Sequence, residues 1–324
     1  MFRRILVPLD GSQVAEQVLP YVRYLAGKLK IPVDLLGVVD LVGMTSSIRA
    51  PDAQKLDTFI AEGVRRKEVY LEKMGKTLAG VSVSQIVRKG KPEEVVIEQA
   101  ASDGATLIAI ASHGRSGIDR WLLGSVAEKV LRGTTNPLLL VRATEHGKGE
   151  GEKTVKRVVV PLDGSPLAEK VLPHVTALAK VMAFEALLLR AYNLKQVISA
   201  DEDFIPDWDV LEAEARGEAI SYLDGKVREL KSQGLIQVSA RASEKEAAQG
   251  IIDAATEPNS LIAMCTHGRS GIKRWVLGSV TEKVIRHSNC PVLVIPQRGH
   301  PALHGEKPSK PIDEMRDVLK YSLD

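Results

Sequence analysis

Apolar positions along the chain alternate between short unbroken runs and longer stripes at helical spacing. Arg3 to Leu9 is a short apolar run of strand composition. Ser12 can then cap a helix whose apolar face is Val14, Val18, Val22, Leu25 and Leu29. Pro20 falls inside that stripe and predicts a kink. Val33 to Val39 reads as a second strand. Leu56, Phe59, Ile60, Leu71, Met74 and Leu78 form the stripe of a long second helix. Val81 to Val87 is a third strand, Glu93 to Ala101 a helix after Pro92, and Thr106 to Ala111 a fourth strand, apolar throughout and so central. Ser125 to Arg132 is a helix and Leu138 to Val141 a fifth strand.

The order then repeats. VPLDGSQVAEQVLP at 7 to 20 returns at 160 to 173 with 11 of 14 positions identical, and HGRSGIDRWLLGSVAEKV at 113 to 130 returns at 267 to 284 with 15 of 18. The offsets, 153 and 154, are too long for a solenoid and indicate a duplicated domain. Strands of the second copy are expected at Val158 to Leu162, Ala186 to Ala191, Ile236 to Ala240, Leu261 to Cys265 and Val292 to Ile295. Alternating strands and helices with near-continuous apolar strands predict two α/β domains, each a doubly wound, Rossmann-like parallel sheet with helices on both faces. Such sheets bind ligands beyond the carboxyl ends of their strands. The expected boundaries are 1–143 and 155–297, with the polar, glycine-rich 144–154 as linker and 298–324 as a polar tail. Within that tail, Ile312, Met315 and Leu319 predict a short terminal helix, with Asp313 and Glu314 suiting its N-terminus.

Charge and composition narrow the function. A net charge of +3 over 324 residues argues against a nucleic-acid binder held by phosphate attraction, and 4% aromatic residues against base-stacking platforms. No apolar run approaches the ~20 residues of a membrane helix, and Met1-Phe2-Arg3-Arg4 leads straight into a strand rather than a signal peptide. The two cysteines, Cys265 and Cys290, sit in no metal pattern and read as reduced residues on buried strands of a cytoplasmic protein.

The chemistry concentrates after the fourth strand. Gly114 and Gly117 are followed by Gly124 and Ser125, which opens a helix. Glycines bring backbone N–H groups close to an anion, and a helix start adds unpaired N–H groups and a positive dipole end. Arg115 and Arg120 could add charge, as could Arg269 in the second copy. The loop is neither a Walker loop nor the dinucleotide fingerprint. A plainer reading is that Ser125 with Glu128, and Ser279 with Glu282, are capping boxes. Asp10 and Asp163 end the first strands at the same sheet edge. Each can accept from ribose hydroxyls or support a metal through water, or it can be a turn residue bonding its own backbone. His113 and His267, with no second histidine or cysteine nearby, read as structural.

The VPLDGS start, the SHGRSG…LGSVAEKV loop and helix, and the NPLLLV final strand resemble the universal stress protein family over both copies. The resemblance implies a five-stranded sheet of order 3-2-1-4-5 and, for one branch, ATP, alone or with magnesium. By position, Asp10 would meet the ribose, and Pro8 and the backbone of Val38 would flank the adenine. Gly114, Gly124, Ser125 and Val126 would bind ribose and phosphates. The second copy's counterparts are Pro161, Asp163, Ala191, Gly268, Gly278, Ser279 and Val280. The family motif G-x2-G-x9-G-[ST] has Ala111 and Cys265 at its first glycine, and Gly117 and Gly271 are extra. The second copy also has Ser243-Glu-Lys-Glu246 for the Gly90-Lys-Pro92 turn, and Arg190 and Tyr192 for Gly37 and Val39. Cys265 would narrow the sugar pocket if it points there. Tyr192 would fill the base slot, or Arg190 would instead reach a phosphate. The first copy is therefore expected to be the better site.

Three functions follow: an ATP-binding stress or signalling module without strong catalysis, a nucleotide-free scaffold acting through protein contacts, or a slow ATPase or phosphotransferase. No catalytic base or metal ligand set is evident. The final strands, Pro137 to Val141 and Pro291 to Ile295, are expected to pair antiparallel, so that the chain imitates a dimer within itself. A further homodimer and a protein partner of unknown kind complete the expectations.

Overall fold

The computed structural model describes residues 1–40, 53–113, 123–143, 153–192, 208–266 and 277–296, with backbone alone at 53–56 and His113. Gly114, Arg115, Gly117, Arg120, His267, Gly268, Arg269 and Gly271, most of the linker and the tail with its expected helix lie outside the described residues.

The first copy runs β1 (Arg4–Pro8), α1 (Gln13–Glu16), α2 (Leu19–Leu29), β2 (Val33–Val39), α3 (Ala53–Lys76), β3 (Val83–Lys89), α4 (Pro92–Ala101), β4 (Thr106–His113), α5 (Ser125–Gly133) and β5 (Leu138–Ala143). The second runs β6 (Arg157–Pro161), α6 (Pro166–Glu169), α7 (Leu172–Ala179), β7 (Glu185–Ala191), α8 (Trp208–Ser232), β8 (Val238–Ser243), α9 (Ala247–Ala254), β9 (Ser260–Cys265), α10 (Ser279–His287) and β10 (Val292–Ile295). The ten strands form one sheet in the order β3-β2-β1-β4-β5-β10-β9-β6-β7-β8. All neighbours are parallel except β5 and β10, which run antiparallel with Leu138 opposite Val294, Leu139 opposite Leu293 and Leu140 opposite Val292.

That seam removes two apolar edges at once. Leu138, Leu139 and Leu140 and their partners are at most 2% exposed. The two apolar clusters on either face of the sheet draw on both copies. Phe2 stacks on His174 at 5.9 Å between ring centroids, Lys153 lies 5.6 Å from the centre of the Tyr21 ring, and Arg142 donates to Asn289, so polar and aromatic contacts also cross the seam. The outer edge at β3 is guarded by exposed Arg88 and Lys89.

Several local expectations change. Pro20 does not kink a helix; the helix breaks after α1 and restarts at Leu19, so that Pro20 sits in the first turn, where no N–H is needed. Pro173 does the same in the second copy. Phe59 is 45% exposed rather than part of the α3 core stripe, whereas Leu71 and Met74 are buried. Ile236 is 81% exposed, and β8 begins two residues later. Cys290 lies not on a strand but just before β10, half-buried, its Sγ 3.2 Å from Ser288 Oγ; burial pushes its thiol pKa up. Neither cysteine is in a disulfide. Among the described residues no helix is long and apolar enough to cross a membrane.

At the amino ends of the strands, opposite the site, Arg4 ties the sheet together. It donates to Thr106 Oγ1 at 2.8 Å, Asp34 Oδ2 at 3.1 Å and the Gln99 carbonyl at 2.8 Å. Arg157 repeats the device with Glu185, at 2.9 Å.

Candidate functional site

β1 and β4 are parallel neighbours, so their carboxyl ends, Pro8 and His113, stand at one edge of the sheet. After β1 the chain turns through Gly11, whose φ of 100° requires a glycine; Gly164 matches it at 87°. The turn is an aspartate turn in both copies. Asp10 Oδ1 accepts from the Ser12 N–H at 2.8 Å, and Asp163 Oδ1 from the Ser165 N–H at 2.9 Å. Ser12 and Ser165 then cap α1 and α6 through their hydroxyls, each at 3.1 Å. The backbone-bonding reading of these aspartates therefore holds for one carboxylate oxygen, while Asp10 remains exposed at the strand tips.

Across the same edge, α5 begins at Ser125 with Gly124 as its cap residue, and no side chain caps it. α10 begins at Ser279 after Gly278 in the same way. This corrects the capping-box reading. Ser125 and Ser279 are the first helical residues, one position too late to cap, and they are exposed. Glu128 and Glu282 turn instead to Arg132 and Arg286. The φ and ψ of Gly124 are −58° and 149°, and those of Gly278 are −60° and 142°, values that any residue adopts. Backbone conformation therefore does not require glycine at either position.

Val38 and Val126 are half-buried, and both pack on the cluster that contains Leu36, Ile110 and Ala127. Val280 holds the same place in the second copy, and Ala191 is half-buried where Val38 stands in the first. Pro8 and Pro161, at the strand ends, are half-buried. Ala111 and Cys265 face the other way. Ala111 packs against the opposite cluster, and Cys265 is 5% exposed within it, its Sγ 3.6 Å from the Ala168 carbonyl. The expectation that Cys265 could narrow a sugar pocket is thus corrected: strand alternation turns its side chain into the core beneath α6. Thr281, which replaces Ala127, donates to the Cys265 carbonyl at 3.0 Å and braces α10 against β9. Its counterpart Ala127 has no hydroxyl to do so.

Sequence reasoning missed what lies beneath the aspartate turn. Lys67 of α3 donates to the Asp10 carbonyl at 2.6 Å, and Tyr70 donates to Glu16 at 3.1 Å. In the second copy Tyr222 donates to Glu169 at 2.7 Å, Lys226 joins the same carboxylate at 2.8 Å, and Arg190 lies over the Tyr222 ring at 4.8 Å. Burial, then the neighbouring glutamate, raises the pKa of Tyr70 and of Tyr222. Tyr192 is half-buried and its N–H donates to the Ser243 carbonyl at 2.8 Å. The second copy's different turn, Ser243 to Glu246, ends with the Glu246 side chain capping α9. Among the described residues no group of three or more His, Cys, Asp or Glu side chains could hold a metal.

The model of the universal stress protein family matches residues 1–142 and 154–296. The chain belongs to the universal stress protein family. Each of its two copies is a domain of that family. Universal stress protein MJ0531 of Methanocaldococcus jannaschii is 27% identical over 146 residues, covering 45% of this chain and 84% of its own. Universal stress protein E of Escherichia coli K12 is 24% identical over 311 residues, covering 91% of this chain and 94% of its own. The latter is thus similar along both domains of this universal stress protein. The fold is shared with the crystal structure of a universal stress protein from Archaeoglobus fulgidus, with a TM-score of 0.65 at 22% identity, over 91% of this chain and 96% of that one.

Proposed function

We propose that this universal stress protein is a cytoplasmic nucleotide-binding stress or signalling module that holds ATP, with or without magnesium, at the strand tips of each copy. The observation that carries this reading is the start of α5 and α10. In both copies an uncapped helix begins after a glycine whose dihedrals suit any residue, on the sheet edge that also presents the aspartate turn. A glycine not needed for conformation fits the close approach of another group, and uncapped first-turn N–H groups fit an anion.

By the family resemblance, Asp10 takes the ribose, Pro8 and the backbone of Val38 the base, and Gly114, Gly124, Ser125 and Val126 the ribose and phosphates; Arg115 would add charge, and Ala111, whose side chain packs in the opposite cluster, would lend only its backbone. Pro161, Asp163, Ala191, Gly268, Arg269, Gly278, Ser279 and Val280 do the same in the second copy. Bound ATP supplies a polyanion and a purine. The chain supplies backbone donors, a carboxylate for the sugar and a partly apolar wall made by Val38 and Val126. Turnover is expected to stay well below the ~1–10³ s⁻¹ of typical enzymes, because among the described residues no positioned base stands at the strand tips. A steady-state assay showing rapid ATP consumption that is lost in a Gly124→Val variant would overturn the non-catalytic reading.

The first copy is the stronger site in this reading. Val38 offers the base a larger apolar wall than Ala191, and the second copy has the bulkier Tyr192 at the strand end where the first has Val39. Calorimetric titration of ATP into Gly278→Val and Gly124→Val, which retain copies one and two respectively, tests this. The expected gap is about tenfold, or ~1.4 kcal/mol. Tighter binding by Gly124→Val would reverse the order.

A further inference from the structure

The two copies bring positive charge to their aspartate turns by different routes. In the first copy Lys67 passes close over Gly37. A β-carbon on Gly37 would lie 3.4 Å from Lys67 Cβ and 3.3 Å from Leu71 Cδ1, so the glycine makes room for the lysine stem. The ammonium then reaches the Asp10 carbonyl. In the second copy the position of Gly37 is Arg190, since Val33 opposite Ile5 corresponds to Ala186 opposite Val158. The helical position of Lys67 is Ala219, 1% exposed, counted back from Tyr222 as Lys67 is from Tyr70.

Small and large residues have exchanged places between strand and helix, and the charge has stayed. The Arg190 guanidinium lies 3.5 Å from where a β-carbon on Gly164 would be, immediately after Asp163, and sits over the Tyr222 ring. Among the described residues, neither Lys67 nor Arg190 forms an ion pair with a carboxylate. Both are half-buried, and burial lowers the Lys67 pKa against the pull of Asp10. A half-buried cation beside the aspartate turn is kept in both copies by two different residues on two different elements, which fits a role for the charge itself rather than for one particular side-chain contact.

We propose that Lys67 and Arg190 are the charge-selecting residues of the two sites. Each offsets the neighbouring aspartate carboxylate, so that a polyanionic nucleotide is preferred over the uncharged nucleoside. The inference rests on the nucleotide-binding reading above. The physical reason is that a carboxylate aimed at a ribose repels the phosphates attached to it, and a cation beside that carboxylate cancels the repulsion.

Calorimetry with ATP and with adenosine, both in EDTA, separates a charge role from a structural one. In the Gly278→Val background, Lys67→Gln keeps a hydrogen-bond donor for the Asp10 carbonyl but loses the charge; Lys67→Met loses both, and Lys67→Arg keeps the charge. ATP affinity is expected to fall about tenfold in the Gln and Met variants and to recover in the Arg variant, while adenosine affinity changes less than about twofold. Arg190→Gln in the Gly124→Val background should behave like Lys67→Gln. Equal losses for ATP and adenosine, or no loss of ATP affinity in Lys67→Gln, would overturn the charge role while leaving the nucleotide site in place. If the parent with Lys67 intact binds neither ligand, the nucleotide reading itself is overturned, and this inference with it.

Discussion

Replacing Gly124 by valine is expected to abolish ATP binding at the first copy and to leave the fold intact. The two halves of this expectation have separate grounds. Gly124 has a φ of −58° and a ψ of 149°, a region that valine occupies without strain, so the cap of α5 should form as before. What valine adds is a branched side chain at the residue where an uncapped helix start faces the strand tips. A group held by the first-turn N–H groups would have to approach through that volume. Gly124→Val with Gly278→Val should then lose ATP binding altogether, with an unchanged circular dichroism spectrum. ATP affinity in the double variant equal to that of Gly278→Val alone would refute the assignment of the helix start.

The second large effect is on stability. Leu140→Ala is expected to lower the unfolding free energy by about 2–5 kcal/mol. Leu140 is fully buried, stands opposite Val292 across the seam, and packs in a cluster that includes residues of both copies. The cavity therefore removes contacts from both copies. Urea unfolding of the wild type should follow one cooperative transition, and the variant should shift the whole of it to lower urea. Two transitions, of which Leu140→Ala moves only one, would show that the copies fold independently and that the seam contributes little.

The sequence is most informative where local patterns suffice. Two strands, Val33–Val39 and Val292–Ile295, match their observed bounds, because unbroken apolar runs between polar turns leave little choice. The antiparallel meeting of β5 and β10 was foreseeable from two apolar final strands that would otherwise end the sheet bare. Where the sequence misled, a one-residue displacement or a side-chain direction decided the outcome. Ser125 and Glu128 have the spacing of a capping box, yet the helix takes Gly124 as its cap, and the serine is displaced into the first turn. Cys265 differs visibly from Ala111, but only its orientation on β9 shows that the difference is spent in the core. Pro20 read as a kink because the apolar stripe continues through the break between α1 and α2.

The cations beneath the aspartate turns were the hardest to see. α3 and α8 are among the least similar parts of the two copies, and the pairings of Gly37 with Lys67 and of Arg190 with Ala219 join a strand to a helix some thirty residues away. The signal was nevertheless present. With the copies aligned on Tyr70 and Tyr222, a glycine-to-arginine change on the strand is matched by a lysine-to-alanine change on the helix.

The central claim, that each copy holds an adenine nucleotide at its strand tips, is tested most directly by mass spectrometry of the small molecules released when the purified wild-type chain and the Gly124→Val, Gly278→Val double variant are denatured. The account predicts an adenine nucleotide from the wild type, approaching two per chain after incubation with ATP, and none from the double variant. Equal release from both proteins, or none from the wild type even after incubation with ATP, would contradict it.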